Sequence, residues 1–371
     1  MYSILNVMPV HKFIVCSYSH KLTSGSVNWQ SPSNIALVKY WGKYGEQLPM
    51  NPSISFTLEN CNTKTTLSYE KRSLSKASEH KEYEFQVFLD GKREISFEPK
   101  IQKFFERVEV YLPFLKNFTF KIETSNSFPH SSGIASSASG MSALSLCLMD
   151  MERQMQPDIP ECYFFEKASF LARLGSGSAC RSLNGPIIVW GEHDAIEGSN
   201  NLYGTKYPLK VHKNFSDFQD TILLVDKGEK QVSSTLGHEL MHDHLYAEQR
   251  FRQARENLSK LIPVLENGDL PAFIEIVESE ALSLHAMMMT SIPYFILMKP
   301  NTLEIINRVW AYRKSTGSHL CFTLDAGANV HLLYPLGESK TVLKFISNEL
   351  SELCKNGEFI VDQVGKGAIK F

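Results

Sequence analysis

Long apolar runs are missing from this 371-residue sequence, and their absence excludes a large class of proteins. Near the N-terminus the only compact apolar run is residues 13–16, Phe-Ile-Val-Cys, with polar residues on both sides. A membrane-spanning helix needs about 20 apolar residues, and a signal peptide needs an apolar core of about 7–15. The sequence therefore predicts a soluble intracellular protein without a membrane partner.

Paired cysteines and a strong charge of one sign are also missing. The 7 cysteines are scattered without paired spacing, so we expect reduced thiols and a cytoplasmic location. The formal net charge is -2, which gives no overall field to attract nucleic acid, and no nucleic-acid partner is expected. A local basic cluster would still bind a small anionic substrate.

The phosphate-binding motif G-x-x-x-x-G-K-[ST] is absent as well. The Gly-Lys pairs at residues 42–43, 91–92 and 365–366 are not followed by Ser or Thr. We find no internal repeat and no low-complexity tract. What remains is an ordinary globular composition, 43% hydrophobic and 21% charged, which is enough to build a sizeable core.

Strand and helix patterns mix without strict alternation, which favours an α+β fold in two domains. Residues 1–25 lack periodicity and are predicted to form a poorly ordered N-terminal extension. The polar segment near residues 195–218 predicts a boundary between domains at 26–210 and 211–371. Strands are predicted near residues 34–41, 53–58, 64–69, 83–89, 118–122, 186–190, 221–225, 320–325 and 329–334, and a turn at 90–91. Helices are predicted near residues 101–112, 141–149, 251–265, 269–286, 300–315 and 340–354.

The best phosphate candidate is the small-residue segment at residues 129–140, which runs directly into an apolar helix. Small residues let backbone N–H groups approach an anion, and the positive end of the helix faces it. The hydroxyl groups of Ser136 and Ser137 would add contacts to phosphate or Mg²⁺. Close packing of a helix start explains the same composition. The segment alone favours neither phosphate binding nor close packing.

Cationic groups occur in two further polar segments. Arg181 ends the run Gly-Ser-Gly-Ser-Ala-Cys-Arg and would present its planar guanidinium to a carboxylate or phosphate. Lys39 and Lys43 lie four residues apart with Tyr40 between them, and Asn34 precedes them. A solvated surface explains lone arginines and lysines equally well and is their more common setting.

Asp325 follows an apolar strand and is flanked by small residues. A carboxylate in that position needs a cationic partner if it is buried. It would act either as a general base or as a turn-capping aspartate, and in isolation the turn interpretation is favoured.

A zinc motif, H-E-x-x-H, occurs at His238, Glu239 and His242. On a helix this spacing places two imidazoles on one face, with the glutamate as base. No extended zincin signature follows, and a helix start rich in His and acidic residues explains the pattern as well. A zinc hydrolase is therefore a remote alternative, and we expect His238→Ala to have little effect.

Taken in order, these segments resemble the diphosphomevalonate decarboxylases of the GHMP kinase superfamily. The similarity covers about residues 27–335. Pro52 departs from it, since the family has serine there, and Leu236-Gly-His stands where a Gly-Met is usual. The matching motifs are N-I-A-x-x-K-Y-W-G-K at 34–43, P-x-N-x-S-I-S at 49–55, G-x-A-S-S-A-x-G at 133–140, G-S-G-S-A-C-R-S at 175–182, V-S-S-T at 232–235 and D-A-G-x-N at 325–329.

This resemblance implies a GHMP kinase fold: an N-terminal domain like ribosomal protein S5 domain 2, a C-terminal ferredoxin-like α/β domain, and an active site in the cleft between them. It implies ATP-dependent decarboxylation of mevalonate 5-diphosphate to isopentenyl diphosphate, with ATP and Mg²⁺, by a homodimer. Two alternatives stay open at this point. One is a kinase that stops after phosphorylation, and the other is a decarboxylase acting on mevalonate 5-phosphate.

The resemblance also implies roles for individual residues. Asp325 would be the base or orienter of the 3-hydroxyl, Arg181 would hold the substrate carboxylate, and Lys39 would lie near Asp325 and the transferred phosphoryl group. Substrate binding is expected from Asn34, Tyr40, Lys43, Ser53, Ser55, Ser178, Ser234 and Thr235. Nucleotide binding is expected from Gly133, Ala135, Ser136, Ser137, Ser139 and Gly140, with Ser137 as the candidate Mg²⁺ contact.

Overall fold

The protein is described here as a computed structural model of residues 10–73, 82–129, 134–226 and 234–371. Within these residues the chain forms two large β-sheets with helices packed against them, and a separate two-stranded ribbon. The strands are β1 (Ser24–Val38), β2 (Lys43–Tyr44), β3 (Leu48–Pro49), β4 (Ser53–Lys71), β5 (Glu84–Leu89), β6 (Lys92–Arg93), β7 (Phe118–Asn126), β8 (Ile187–Trp190), β9 (Thr205–Lys206), β10 (Gln219–Leu223), β11 (Cys321–Thr323), β12 (Val330–Tyr334), β13 (Phe359–Gln363) and β14 (Ile369–Lys370). The α-helices are α1 (Glu98–Val108), α2 (Ser136–Met155), α3 (Glu161–Gly175), α4 (Ser234–Glu239), α5 (Ala247–Asn267), α6 (Leu270–Thr290), α7 (Pro300–Thr316) and α8 (Ser339–Phe345).

The larger sheet is organised around β4, which pairs with β1 along most of its length. The first residues of β4 also pair with β8, and its second half pairs with β7. The main strand order is β14-β1-β4-β7-β5-β6, with β8 and β9 continuing from β4. The two strands predicted near 53–58 and 64–69 are therefore one strand. The predicted turn at Asp90 and Gly91 is confirmed, since both residues have positive φ and join β5 to β6.

The smaller sheet has the order β11-β12-β10-β13 and is antiparallel throughout. Helix α6 contacts β11 of this sheet and β1 of the larger sheet, so it lies between the two. Helix α7 also contacts β11, while α5 packs against α6. In the described part of the chain, every helix is too short or too polar to traverse a lipid bilayer.

The positions of apolar residues account for helices α1 and α2. In α1 the buried residues Ile101, Phe104, Phe105 and Val108 recur at the spacing of one helix face. Helix α2 is apolar almost all round because it is covered on several sides, by β1, by β4 and by α3. The prediction of a buried helix after the small-residue segment is thereby confirmed.

The N-terminal segment differs from its prediction. In its described part, residues 10–25, the chain packs against the core instead of lying free, and Phe13 is completely buried. The Phe13 ring lies 4.7 Å from that of Phe170 and also packs against Tyr163 and Tyr203. A single anchoring aromatic residue creates no periodicity, which explains why the pattern predicted a poorly ordered extension.

The C-terminal strands β13 and β14 were not evident from the sequence pattern. β14 returns to the larger sheet, where Lys370 pairs with Trp29 of β1. In β13 the buried carboxylate of Asp362 accepts hydrogen bonds from the backbone N–H groups of residues 59–61, at 2.7–3.0 Å. These contacts attach the end of the chain to β4 and help to hold the two sheets together.

We expect Phe13→Ala to lower the free energy of unfolding by about 3–5 kcal/mol, the usual cost of removing a buried phenylalanine ring. Urea denaturation measures this change. Ile292→Ala is the control, because Ile292 is 86% exposed and should leave the midpoint almost unchanged. Equal midpoints for the two variants would contradict the assignment of residues 10–25 to the core.

Candidate functional site

A cleft of about 1150 Å³ lies beside the end of β1. Its wall includes the start of α2, the short 3₁₀ turn Gly177–Arg181, one face of α1 and the loop after β11. Elements of both sheets therefore contribute to one concave surface. Lys39, Arg181 and Asp325, which the sequence places far apart, all line it.

Lys39 follows the last residue of β1, and its side chain is buried. Its Nζ lies 3.0 Å from Oδ1 of Asp325, which comes from the loop between β11 and β12. Burial lowers the pKa of Lys39, and the nearby Asp325 carboxylate opposes that change. The contact joins segments that are 286 positions apart in the chain.

Arg181 is buried at the end of the 3₁₀ turn that follows α3. Its Nη1 donates to Ser53 Oγ at 2.6 Å, and its Nε donates to Asn34 Oδ1 at 3.3 Å. Burial also lowers the pKa of Arg181, whereas Asp325 acts to raise it. Asn34 and Ser53 thus lie behind the guanidinium group and fix its direction toward the cleft.

Tyr40 contributes an aromatic wall and a buried hydroxyl group. Its ring packs against Trp190 at 4.6 Å and against His238 at 4.3 Å. Burial raises the pKa of Tyr40, so the hydroxyl keeps its proton at neutral pH. Within the described ranges this buried hydroxyl has no hydrogen-bond partner.

The start of α2 carries the predicted phosphate loop. Ala135 adopts a left-handed conformation with φ of 46° immediately before the helix. Ser136, Ser137 and Gly140 line the cleft, and the Ser137 hydroxyl accepts a hydrogen bond from Lys100. Gly133 lies outside the described residues.

Some predicted ligand residues lie elsewhere. Ser139 is fully buried, and its hydroxyl contacts Thr63 Oγ1 at 2.6 Å. Ser55 is also fully buried within β4, away from the cleft surface. Two other predicted ligand residues, Lys43 and Ser178, do line the cleft. Residues 234–235 begin α4, but their side chains are outside what the structure describes.

A basic face of α1 was missed by the sequence reasoning. Lys100, Lys103 and Arg107 are spaced by three and four residues and all line the cleft. Arg107 Nη1 donates to the carbonyl of Leu174 at 2.8 Å, and burial lowers its pKa. The signal was present, because this spacing places side chains on one side of a helix.

The zinc interpretation does not fit the geometry. Helix α4 ends at Glu239, so the helical spacing that would align His238 with His242 is interrupted. His238 Nδ1 accepts the backbone N–H of Gly42 at 2.9 Å, and its ring packs at a tilt between the rings of Tyr40 and Trp41. Burial lowers the pKa of His238 to about 3, so it is neutral. Across the described ranges, no three His, Cys, Asp or Glu side chains are grouped to hold a metal ion.

His238 therefore has a structural place in the cleft that the sequence did not suggest. The expectation that His238→Ala has little effect stays a prediction, and the packing of the ring and its bond to Gly42 argue against it. Removing the imidazole would leave the Gly42 N–H without its acceptor and loosen the packing of Tyr40.

Two family models match the chain in sequence order. Residues 31–201 match the diphosphomevalonate decarboxylase-like N-terminal domain, and residues 221–367 match the mevalonate 5-diphosphate decarboxylase C-terminal domain. The boundary predicted after residue 210 falls between the two matches and stays a prediction.

Relatives of known identity agree with these models. The diphosphomevalonate decarboxylase of Aspergillus fumigatus is 28% identical over 328 residues, which cover 84% of this chain and 77% of that protein. The mevalonate diphosphate decarboxylase of Staphylococcus aureus is 26% identical with a TM-score of 0.79, over 94% of this chain and 98% of its own. MDDEF, solved in complex with MVAPP, AMPPCP and magnesium, is 26% identical with a TM-score of 0.78, over 94% and 99%. The predicted α+β GHMP kinase fold is confirmed.

We expect the purified protein to contain no stoichiometric zinc after equilibration with the metal and dialysis, because His238 Nδ1 is bonded to Gly42 and its ring packs against Tyr40. Elemental analysis measures the zinc content. His242→Ala should give the same content as the unchanged protein. One zinc per chain that is lost in this variant would restore the zinc interpretation.

Proposed function

Because the chain belongs to the diphosphomevalonate decarboxylase family, we propose that its cleft converts mevalonate 5-diphosphate and ATP to isopentenyl diphosphate, ADP, phosphate and CO₂. The observation that carries this proposal is the contact between Lys39 Nζ and Asp325 Oδ1, with Arg181 in the same cleft. Together they supply a base, an ammonium group and a guanidinium group around the position of one small substrate.

The charges of the cleft suit two polyanionic ligands. ATP and a diphosphate substrate bring several negative charges into one site, and these need cationic neighbours. In the described part of the wall, basic side chains outnumber acidic ones. The basic residues are Lys39, Lys43, Lys100, Lys103, Arg107 and Arg181, and the acidic residues are Glu94, Glu239 and Asp325.

In the first step Asp325 accepts the proton of the substrate's 3-hydroxyl group. The hydroxyl oxygen forms a bond to the γ-phosphorus of ATP, the bond from that phosphorus to the bridging oxygen breaks, and ADP leaves. Lys39 lies 3.0 Å from Asp325 and places a positive charge beside the transferred phosphoryl group. Positioning and charge neutralisation are the main requirements of such a transfer.

In the second step the bond between C3 and the phosphorylated oxygen breaks, and phosphate leaves with the electron pair. Asp325 gives the proton that it accepted in the first step to the departing phosphate. Positive charge develops at C3, and the Asp325 group, again a carboxylate, stabilises it. The electron pair of the bond between C2 and the carboxyl carbon then forms the double bond, and CO₂ is released. Arg181 holds the carboxylate until that bond breaks, in an orientation set by Ser53 and Asn34.

The nucleotide fits the start of α2, where Ser136 and Gly140 line the cleft opposite the basic face of α1. The AMPPCP and magnesium bound to MDDEF support ATP and Mg²⁺ as ligands here. Ser137 fits poorly as a metal contact, because its hydroxyl already accepts from the Lys100 ammonium group. Magnesium bound to the nucleotide would neutralise phosphate charge, and none of the steps above needs Ser137 as its ligand.

The identity of the relatives supports the diphosphate substrate over mevalonate 5-phosphate. Kinases that stop after the first step need no group for the departing carboxylate, and we assign that role to Arg181. A cytoplasmic homodimer, expected from the family resemblance, is part of the same proposal.

We expect equal amounts of ADP and CO₂ when the protein is incubated with ATP, Mg²⁺ and mevalonate 5-diphosphate. Coupled ADP detection and trapping of CO₂ from substrate labelled at the carboxyl carbon measure the two products together. Mevalonate 5-phosphate and mevalonate are the matched comparison substrates. ADP without CO₂ would identify a kinase, and preferential turnover of the monophosphate would change the substrate.

We expect Asp325→Asn to lower kcat by about 10²–10⁴-fold, the usual contribution of a positioned general base. The amide keeps the size of the side chain but loses the negative charge that accepts the proton. Steady-state kinetics measures kcat, and equilibrium titration with a nucleotide should show affinity near that of the unchanged protein. Asp243→Asn, an exposed position, is the control. Turnover retained in Asp325→Asn would remove this residue from the mechanism.

A further inference from the structure

Helix α6 places a buried carboxylate directly behind Lys39. Glu280 is fully buried, and its Oε2 accepts the backbone N–H of Lys39 at 2.8 Å. This hydrogen bond joins a helix that contacts both sheets to the end of β1. Glu280 does not line the cleft and was not among the residues predicted for the site.

The backbone of Lys39 depends on side chains because sheet pairing stops before it. The last partners in the pairing of β1 with β4 are Val38 and Ile54. The N–H of Lys39 donates to Glu280, and its carbonyl accepts from Asn51 Nδ2 at 2.9 Å. A buried backbone N–H needs an acceptor, and Glu280 supplies the one that the sheet no longer provides.

Two further side chains hold Glu280 in place. Arg250 of α5 donates to both carboxylate oxygens, with Nη1 at 3.0 Å from Oε1, and Asn257 Nδ2 donates to Oε1 at 2.7 Å. A buried ion pair of this kind usually contributes little net stability, since desolvation offsets the attraction. Stability alone therefore gives no reason for a charged pair at this point.

The same helix also holds the other partner of Lys39. His285 lies on α6, and its Nε2 donates to the backbone carbonyl of Asp325 at 3.1 Å. Burial lowers the pKa of His285 to about 4, which keeps the ring neutral at physiological pH. One helix thus contacts the backbone on both sides of the Lys39–Asp325 pair.

We propose that Glu280, oriented by Arg250 and Asn257, is a positioning residue that fixes the backbone of Lys39 and so the direction from which its ammonium group meets Asp325. This inference rests on the proposed function, because it assigns Glu280 a part in the same reaction. A displacement of about 1 Å at a reacting group can lower a rate by about 100-fold.

Two double variants separate the hydrogen bond from the buried charges. The double variant Glu280→Gln with Arg250→Met removes both charges but keeps an acceptor for the Lys39 N–H. The Asn257 amide can turn so that its oxygen accepts from the amide group of the new side chain. Glu280→Leu with Arg250→Met removes the charges and the acceptor together. We expect the Leu variant to lower kcat by about 10- to 100-fold, with little change in the KM for ATP. We expect the Gln variant to retain most of kcat.

Glu280→Asp is an independent single variant. It keeps the ion pair with Arg250 but shortens the side chain by one methylene group, which moves the acceptor away from Lys39. We expect kcat to fall as in the Leu double variant, so the inference is tested even if that double variant does not fold.

The matched control is Glu278→Leu with Arg313→Met. Glu278 lies on the same helix, is buried and pairs with Arg313 at 2.7 Å, but contacts Trp310 and the backbone of Phe322 instead of Lys39. This control double variant should keep the kcat of the unchanged protein. The midpoint of its thermal unfolding should change as much as in the Glu280 variants. Unchanged kcat in Glu280→Asp, or in the Leu double variant, would overturn the inference. An inactive unchanged protein would instead overturn the proposed function.

Discussion

A partly buried contact between an ammonium group and a carboxylate, Lys39 Nζ to Asp325 Oδ1 at 3.0 Å, is the constraint on which the site depends. Burying a lysine disfavours its charge, and Asp325 compensates only while the strand end and the loop after β11 remain together. The two sheets must therefore meet at one place. Asp362 of β13 and helix α6 provide contacts that hold them there.

Burial also explains why most polar groups around the cleft have partners in the protein. Arg181 is fixed by Ser53 and Asn34, and the imidazole of His238 accepts from Gly42. Each bond satisfies a group that would otherwise be buried without a partner, and it also limits the directions that group can take. Tyr40 differs, since its buried hydroxyl has no partner in the described part of the chain. The wall of the cleft thus combines charged groups held by neighbours with one buried hydroxyl that no described protein group satisfies.

The parts predictable from sequence are those with a local pattern. Ordered motifs identify Lys39, Arg181 and Asp325, and apolar spacing identifies α1 and α2. Glu280 has no such pattern, because a lone glutamate in a helix looks the same whether it faces water or a distant backbone N–H. The burial of Phe13 could not be predicted for a related reason, since a single apolar residue forms no pattern. Strand β14 contains too few residues to show alternation. The places of Glu280, Phe13 and β14 are set by contacts between segments that are distant in the sequence.

Pro52 shows how a departure from the family motif is accommodated. Serine would offer a hydroxyl group at this position, whereas Pro52 offers only its carbonyl, which accepts from Asn51 Nδ2 at 2.8 Å. The same amide group donates to the carbonyl of Lys39. With both amide hydrogens directed at carbonyl groups, the Asn51 amide cannot turn over without facing its oxygen toward two acceptors. The proline loop therefore supports the carbonyl group of Lys39, as Glu280 supports its N–H group. The backbone of Lys39 stays fixed on both sides although the serine hydroxyl is missing.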